Sequence, residues 1–312
     1  MTSTGAEYQV HTLTLAKGTY TVGGKSVEVV DWPVDIAEKL IVPYGVDKIK
    51  GEYQEEEAIQ AITLPPTVKT IGSWAFNSCA KLNTVAFNEG LKTIGSYAFA
   101  STGLTSIEIP KGVETIGDSA FSYCESLTTV ILNDGLVKIT GNPFYDSPVT
   151  TLTSNSERFV MSENDMELID TETGTLVIFV CSKLSGDGAY QTSEDDKIIG
   201  TFAFYECSKL KSVTLSEGVT AINENAFQSP YLVKVSVSKT VKSIGDYAFT
   251  GGISLSTITI EEGMSGTIGN YFLMSTLGVT ELTLPQSLWG DDSLILPNAF
   301  TTSNLKKNHS QL

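Results

Sequence analysis

Histidine is almost absent from this chain, and its scarcity limits the chemistry that the chain can perform. Only two of the 312 residues are histidines, His11 and His309, and they lie near opposite ends of the sequence. Metal centres and Ser-His-Asp sites depend on imidazole nitrogens placed beside other reactive side chains. We therefore expect no histidine-based catalytic site, no metal site and no cofactor.

A phosphate-binding loop is missing as well. The sequence contains no Walker motif, and Gly186-Asp187-Gly188 is a lone glycine pair. A phosphate site needs such glycines between a strand and a helix, and that context is absent here. The pattern therefore predicts no nucleotide site.

Basic residues and long apolar runs are also scarce. Twenty Lys and Arg stand against 36 Asp and Glu, for a net charge of -16. Such a chain repels phosphate backbones and anionic lipid, so we expect no nucleic acid partner. No run of about 18 apolar residues is present, so we expect no membrane insertion. The start, MTSTGAEYQ, also lacks the apolar stretch of a signal peptide.

A phenylalanine, usually preceded by alanine, recurs at a nearly fixed spacing. Its copies are Phe76, Phe99, Phe121 and Phe144, followed by Phe204, Phe227, Phe249, Phe272 and Phe300. The steps are 23, 22 and 23 residues in each run, and the last step is 28. A period of this length indicates a solenoid in which each unit buries its apolar face against its neighbours. We predict a leucine-rich repeat solenoid, mostly β, with one short parallel strand per 22–23-residue coil, in a curved right-handed array with small β-hairpin elements.

Each unit repeats the same local features, as residues 113–132, VETIGDSAFSYCESLTTVIL, illustrate. Val130 and Leu132 are two residues apart and so face one side of a strand. The small alanine lets coils approach, and the phenylalanines can stack as an interior column. A glycine follows the isoleucine of each unit, and Asn223 replaces it once, which predicts a positive φ and a chain reversal. These glycines are Gly72, Gly95, Gly117, Gly200, Gly245 and Gly269.

Departures from the repeat predict the organisation of the chain as one continuous array. Residues 1–36 lack the repeat and alternate like strands around Gly23-Gly24, which predicts an N-terminal β cap. Residues 37–153 form a first leucine-rich repeat run. Residues 154–197 form a β-hairpin insertion with an acidic loop, and residues 198–312 form a second run with an irregular C-terminal end.

The four cysteines divide into a column and an outlier. Cys79, Cys124 and Cys207 each follow the repeat phenylalanine by three residues. Coils about 4.8 Å apart would separate Cys79 from Cys124 by about 10 Å, which exceeds the reach of a disulfide. We therefore favour buried thiols for the column. Cys181 lies in the insertion near the point where the array resumes, and a bridge from it to Cys207 stays open.

Acidic pairs are the remaining candidates for chemistry. Asp195-Asp196, Glu261-Glu262 and Asp291-Asp292 could bind Ca²⁺, or two distant carboxylates could meet as a glycosidase pair. Neighbouring carboxylates on loops are more commonly solvated, so we predict neither activity.

The outward positions of the strands form two columns rich in Thr and Ser. Strand propensity alone accounts for such columns on a solvated sheet. Alternatively, they form a flat face that offers hydroxyls to a ligand at a repeat of about 4.8 Å. The candidate ligand face consists of Thr84, Ser106, Glu108, Thr129, Ile131, Thr151, Thr153, Ser212 and Thr214.

The unit LTSIEIPKGVETIGDSAFSYCESL, residues 104–127, resembles the BspA-like leucine-rich repeat proteins. The resemblance covers roughly Leu40 to Leu305, and the insertion segment ERFVMSENDMELIDTETGTLVIF is similar to a hairpin unit of that family. Two places depart from the pattern, namely Tyr53-Gln54, which replace Ala-Phe, and residues 196–199, which lack the usual turn. The resemblance implies a surface or secreted protein used in adhesion, with no catalytic residues to transfer.

Together, the repeat and the resemblance predict a non-catalytic recognition or adhesion module. We expect a monomer at the cell surface or outside the cell that binds a protein or glycan. Two alternatives stay open. A carbohydrate-active enzyme on a β-solenoid would show converging carboxylates in a groove, and a structural spacer would show no exposed patch.

Overall fold

The repeats fold into coils that stack in register, each adding strands to parallel ladders. The computed structural model describes residues 59–280 continuously, together with 18–22, 25–29, 39–42, 44–49, 282, 284–289 and 294–300. Asp291-Asp292, His11, His309 and Tyr53-Gln54 lie outside the described residues. No helix in the described ranges is long and apolar enough to cross a membrane.

The strands fall into four groups: a first hairpin, two kinds of coil strand, and the strands of the insertion. A first hairpin comprises β1 (Gly18–Val22) and β2 (Lys25–Val29). In the coils, strands of two kinds alternate, which we call face strands and back strands. The face strands are β3 (Lys39–Ile41), β5 (Ala61–Thr63), β7 (Thr84–Ala86), β9 (Ser106–Ile109), β11 (Thr129–Leu132), β13 (Thr151–Ser154), β17 (Ala189–Gln191), β19 (Ser212–Thr214), β21 (Lys234–Val237) and β23 (Thr257–Ile260). The back strands are β4 (Val46–Ile49), β6 (Thr70–Ile71), β8 (Thr93–Ile94), β10 (Thr115–Ile116), β12 (Lys138–Ile139), β18 (Ile198–Ile199), β20 (Ala221–Ile222), β22 (Ser243–Ile244), β24 (Thr267–Ile268) and β25 (Leu294–Ile295).

The insertion contributes β14 (Phe159–Met161), β15 (Glu167–Asp170) and β16 (Thr175–Phe179). Two 3₁₀ turns, Cys181–Lys183 and Gln286–Trp289, complete the described elements.

Both kinds of coil strand pair in parallel with the equivalent strand of the next coil. Val130 of β11 lies opposite Ile107 on one side and Leu152 on the other, so apolar positions form continuous rows. The face strands form sheets β3-β5-β7, β9-β11-β13 and β17-β19-β21-β23. The back strands run from β4 to β12 and from β18 to β25. This arrangement confirms the predicted leucine-rich repeat solenoid.

The N-terminal hairpin bounds one end of the first back sheet. β1 pairs antiparallel with β4, placing Tyr20 opposite Ile49, and β2 lies outside β1. The hairpin thereby supplies backbone partners to the first back strand, which would otherwise be an open edge. The domain boundaries predicted above stay predictions.

Stacked phenylalanines fill the interior of the coils. The rings of Phe99 and Phe121 lie 5.3 Å apart with planes 5° from parallel, and those of Phe204 and Phe227 lie 4.8 Å apart. All four are essentially buried. Phe179 of the insertion joins the column, 4.6 Å from Phe204. The predicted interior column is therefore confirmed for these coils.

Near its end, the column departs from the prediction by one residue. The Phe249 N–H donates to the carbonyl of Phe272, just as the Phe99 N–H donates to that of Ala120. Phe272 therefore occupies the alanine position, and the buried Leu273 takes the phenylalanine position. The predicted alignment of Phe272 with the repeat phenylalanines is therefore off by one residue, although its ring still packs edge-on against the rings of Phe249, at 6.4 Å, and Phe300, at 5.5 Å.

The predicted role of the repeat glycines was also wrong. None of the six has a positive φ. Instead, a Cβ added to Gly95 would lie 2.4 Å from the backbone nitrogen of Ser73, and one on Gly117 would lie 2.4 Å from that of Ser96. Contacts this short are not tolerated, so glycine is needed because successive coils approach closely, and not to reverse the chain.

Positive φ occurs instead on either side of the repeat phenylalanine. Tyr97 has φ +56° and Ser101 has φ +56°, two residues before and two after Phe99. This conformation directs alternate N–H groups to the next coil: Tyr97 donates to Asp118, and Ser101 to Ser122. A left-handed residue costs roughly 1–2 kcal/mol, and each inter-coil hydrogen bond offsets about 1 kcal/mol of it.

The insertion interrupts both ladders, and we call the junction between the two runs the seam. β12 and β13 are the last strands of their sheets in the first run, and β16 pairs in parallel with β18 to begin the second back sheet. Arg158, the single arginine of the chain, holds β14 to β15 through two hydrogen bonds to Asp170, of 2.9 and 2.8 Å. Burial alone would raise the pKa of Asp170, but these bonds hold it below its usual value.

Candidate functional site

The predicted ligand face is divided among three sheets. Thr84 lies on β7, six of the candidates lie on β9, β11 and β13, and Ser212 and Thr214 lie on β19 beyond the insertion. The six that the structure brings together are Ser106, Glu108, Thr129, Ile131, Thr151 and Thr153. They form two adjacent rows of three. As a ligand surface, the face stays a prediction.

Several of the polar groups on this face are exposed, and some are already bonded within the chain. Ser106, Thr151 and Thr153 are exposed, whereas Thr129 and Ile131 are half-buried. The carboxylate of Glu108 accepts a hydrogen bond of 2.9 Å from the Asn133 amide, and the Thr84 hydroxyl donates to Asn83. The face is therefore a shallow surface of short side chains.

A cleft of about 610 Å³ opens at the seam, beside the end of this face. One wall comes from residues 142–150 of the first run, and the other from residues 178–182 and 203–209. Thr150, on the first wall, directly precedes β13. The cleft is thus continuous with the edge of the six-residue patch.

The first wall is the last coil of the first run, which leads into β13. Asn142 ties this coil to the second run, because its side-chain Nδ2 donates to the Phe202 carbonyl at 3.1 Å. The two runs therefore meet directly on the turn side, although the insertion separates their strands.

A cluster of tyrosines spans the junction. The Tyr145 ring lies 5.2 Å from the Tyr123 ring and 3.9 Å from the Tyr205 ring. Tyr123 and Tyr205 line the cleft, and Tyr123 is 42% exposed. Burial, followed by hydrogen bonds with both neighbours, raises the pKa of Tyr145, and burial raises that of Tyr205 to about 12. These hydroxyls thus stay protonated at physiological pH.

Carboxylates from three coils join the tyrosines. Glu125, Asp146 and Glu206 all line the cleft and all are exposed. Burial, and then the charge of Glu125, raise the pKa of Asp146. The one lysine on the lining, Lys209, donates to the carbonyl of Ser182 at 2.5 Å. The cleft therefore carries an excess of negative charge.

A disulfide between Cys181 and Cys207 forms part of the second wall, with Cα atoms 5.3 Å apart. The prediction of a thiol at Cys207 was wrong, and the bridge that the sequence left open is present. The reason is that β16 forms an extra coil, which places Cys181 beside the cysteine column. Cys79 and Cys124 are buried thiols, as predicted. The Cys124 thiol donates a hydrogen bond to the Phe99 carbonyl at 3.2 Å.

None of the cleft residues was part of the candidate ligand face predicted from the sequence. A signal was present, since Tyr145 and Tyr205 each follow a repeat phenylalanine on opposite sides of the insertion. It could not be interpreted without knowing that the two runs meet again across residues 154–197.

Of the predicted acidic pairs, Glu261-Glu262 has a structural role. The Glu262 carboxylate accepts from the backbone N–H groups of Gln286 and Ser287, and Glu261 accepts from that of Lys239. No group of three or more metal-binding side chains occurs in the described part of the chain.

Asp196 belongs to a buried acid pair beneath the insertion. Glu167 is 2% exposed and Asp196 is 0% exposed, and the two carboxyl groups are close enough for each to affect the pKa of the other. The Tyr190 hydroxyl donates to Glu167, and the Ser193 N–H donates to Asp196 at 2.8 Å. Burial, and then Asp196, raise the pKa of Glu167 to about 7, despite the bond from Tyr190.

Replacing this carboxyl should change the pH dependence of stability. The folded-state pKa of Glu167 is about 7, above the usual 4.5, so folding favours the protonated carboxyl. The contribution of this carboxyl to the free energy of unfolding is complete below about pH 4.5 and is lost as the pH rises through about 7. We expect Glu167→Gln to be more stable than the parent at pH 8 by up to about 3 kcal/mol, and similar at pH 5. Thermal unfolding at both pH values measures this.

The exposed Glu163, in the same insertion, supplies the matched control. Glu163→Gln should keep the parent's difference between pH 5 and pH 8. If Glu167→Gln kept that difference too, the buried pair would not be its source.

The coils match a known sequence family. The profile described as BspA type Leucine rich repeat region matches in six copies, over residues 48–164 and 190–307. The chain belongs to the BspA-type leucine-rich repeat family. The resemblance inferred from residues 104–127 is thereby confirmed. Residues 165–189, which contain β15 and β16, fall between the two matched stretches.

Solved structures of other proteins share the fold. A leucine-rich repeat protein from Eubacterium ventriosum ATCC 27560 is 20% identical, with a TM-score of 0.70 over 90% of this chain and 86% of that one. The pneumococcal vaccine antigen PcpA is 18% identical, with a TM-score of 0.51 over 86% and 89%. A comparison with curated proteins found no match. At these identities, the likeness concerns the fold.

Proposed function

We propose that this BspA-type repeat protein is a non-catalytic recognition module at the cell surface, and that the seam cleft is the centre of its binding surface. The observation that carries the proposal is the convergence of tyrosines and carboxylates in a concave site of about 610 Å³. Concave sites with a few convergent polar groups are where proteins usually bind ligands. The patch on β9, β11 and β13 extends that surface.

The disposition of the acids supports binding over catalysis. The neighbouring carboxyls of Glu167 and Asp196, which affect one another's pKa, are buried beneath the insertion. The cleft acids are exposed, which suits charge recognition. We therefore propose recognition in place of the carbohydrate-active alternative.

The disulfide supports a location outside the cytosol. Structural disulfides persist in oxidising compartments and are rare in reducing ones. Cys181 and Cys207 join the insertion to the second run, where the bridge has a structural role. The BspA-type family, through the resemblance described above, points to the same location.

Binding to an array of printed glycans and extracellular matrix proteins tests this function. We expect retained ligands to bind a variant carrying Tyr123→Ala and Tyr205→Ala at least tenfold more weakly. A second variant, with charged residues at Thr129, Thr151 and Thr153, should reduce affinity less. Far-UV circular dichroism and thermal unfolding establish that both variants are folded.

Three outcomes would contradict the proposal. The first is hydrolysis of a glycan by the purified chain, which would establish an enzyme. The second is that every ligand found on the array binds both variants as tightly as the parent, which would place the binding site on another surface. The third is an absence of any ligand on the array, which would favour the structural spacer.

A further inference from the structure

We propose that the seam cleft accepts a basic side chain, lysine or arginine, presented by a protein partner. This inference rests on the proposed function and adds the chemistry of the partner. It depends on the charges of the cleft, its tyrosines and its apolar floor.

The carboxylates of the cleft lack a cation from the described part of the chain. Among the described residues, the ion pairs are Lys92–Glu114, Arg158–Asp170, Arg158–Glu172 and Lys239–Glu217. None involves Glu125, Asp146 or Glu206. The only arginine, Arg158, forms its ion pairs within the insertion. The ammonium group of Lys209 donates a hydrogen bond to the carbonyl of Ser182. Glu125 and Asp146 therefore repel one another, and no described ion pair compensates any of the three acids.

Electrostatic interactions link these acids to the same part of the cleft. They come from three successive layers at the seam, and Asp146 is close enough to Glu125 for that charge to raise its pKa. Asp146 also acts on Tyr205, together with Glu206. Charge-assisted hydrogen bonds to carboxylates are the stronger class, and a guanidinium can bind two oxygens at once.

The tyrosines add a second attraction for a cation. An ammonium or guanidinium group within about 6 Å of a tyrosine centroid is attracted by the ring's electron density. Tyr123 is partly exposed at the cleft, and Tyr205 lies opposite it. The same contact already occurs elsewhere in the chain, where Lys211 Nζ lies 5.3 Å from the Tyr231 centroid.

The floor of the cleft is apolar. Phe144, Ile178 and Phe179 line it and are each at least nine-tenths buried. Lysine and arginine carry three or four methylenes that pack on apolar surface while the charged head stays at a polar rim. A side chain with an apolar stem and a cationic head therefore matches both layers of the cleft.

A neutral sugar fits these observations less well. The Tyr145 ring is covered by Tyr123 and Tyr205, at 5.2 and 3.9 Å, so it is not available as a stacking platform. A neutral ligand would also leave the carboxylates uncompensated. The net charge of -16 favours encounter with a basic partner over an acidic one.

Peptides with a single variable residue test the proposal directly. The probes are labelled decapeptides of glycine and serine with one central lysine, arginine, citrulline or acetyl-lysine, bound to the full chain. We expect lysine and arginine to bind at least tenfold more tightly than their uncharged analogues. Raising the salt from about 50 to 300 mM should weaken binding, because exposed charges are screened.

Matched variants separate the cleft from general acidity. Asp146→Asn with Glu206→Gln should reduce binding of the lysine and arginine peptides at least tenfold. Asp134→Asn with Glu157→Gln removes the same charge from exposed positions outside the cleft lining and should leave binding within twofold. Thermal unfolding checks that both pairs of substitutions leave the chain folded.

The outcomes distinguish this inference from the proposed function. Equal binding of charged and uncharged peptides, or an equal effect of both variant pairs, would overturn the basic side chain. The basic side chain would also be excluded by an array glycan whose binding needs Tyr123 and Tyr205 but not Asp146 and Glu206. In that case the proposed recognition at the cleft would still be supported. Failure of the tyrosine variant to affect any array ligand would overturn the proposed function itself.

Discussion

Phe121→Ala should cost about 3–5 kcal/mol of unfolding free energy, the usual range for removing a fully buried aromatic ring from a core. Phe121 stacks on Phe99 at 5.3 Å and on Phe144 at 5.8 Å, and it is 0% exposed. Its removal leaves a cavity that two coils share. Because a solenoid buries each coil only against its neighbours, the loss should be centred on these three coils.

Urea unfolding gives the total effect, and hydrogen exchange locates it. Amides of residues 93–154 should lose protection more than those of residues 212–260. The chain supplies its own matched control, since Leu273 occupies the phenylalanine position in a later coil. Phe121→Leu should therefore cost clearly less than Phe121→Ala. A cost below about 1 kcal/mol for Phe121→Ala would mean that the column does not stabilise the array.

Loss of the disulfide should be of similar size. The bridge joins residues 26 apart, and closing a loop of that length stabilises by about 3.5 kcal/mol through the entropy of the unfolded chain. We expect Cys181→Ser with Cys207→Ser to lose about this much. The insertion and the first coil of the second run should lose most of their exchange protection.

The same bridge closes one wall of the seam cleft, so its removal should also weaken binding there. Alkylation under denaturing conditions should modify two cysteines before reduction and four after it, because Cys79 and Cys124 are thiols. Reducing agent should destabilise the parent but not the double variant. Equal stability of parent and double variant, or four reactive thiols without reduction, would exclude a structural bridge.

The sequence predicted much of the coil packing because that packing is local and repeated. Apolar residues two apart within a strand and phenylalanines 22 or 23 apart identified the strands and the column. Each coil meets only its neighbours, so one unit carries nearly all the information about the next. The error at Phe272 arose where two large apolar residues compete for one position. Hydrogen bonds between backbones decided that competition.

The glycine error has a different cause. The sequence showed correctly that a side chain is excluded after each repeat isoleucine, but two backbone arrangements impose that rule. Positive φ and close approach of coils both select glycine, and only the three-dimensional structure distinguishes them. A Cβ added at Gly95 would lie 2.4 Å from the backbone of the neighbouring coil, whereas the positive φ falls at Tyr97.

By itself, the sequence determined the repeat, its family and the buried side of each strand, because these depend on short-range periodic contacts. Only the tertiary structure decided how the two runs meet. That meeting pairs Cys181 with Cys207, places Glu167 against Asp196, and assembles the tyrosines and carboxylates of the cleft. The physical reason is that residues 154–197 interrupt the period, so contacts across them follow from packing in three dimensions and not from spacing along the chain.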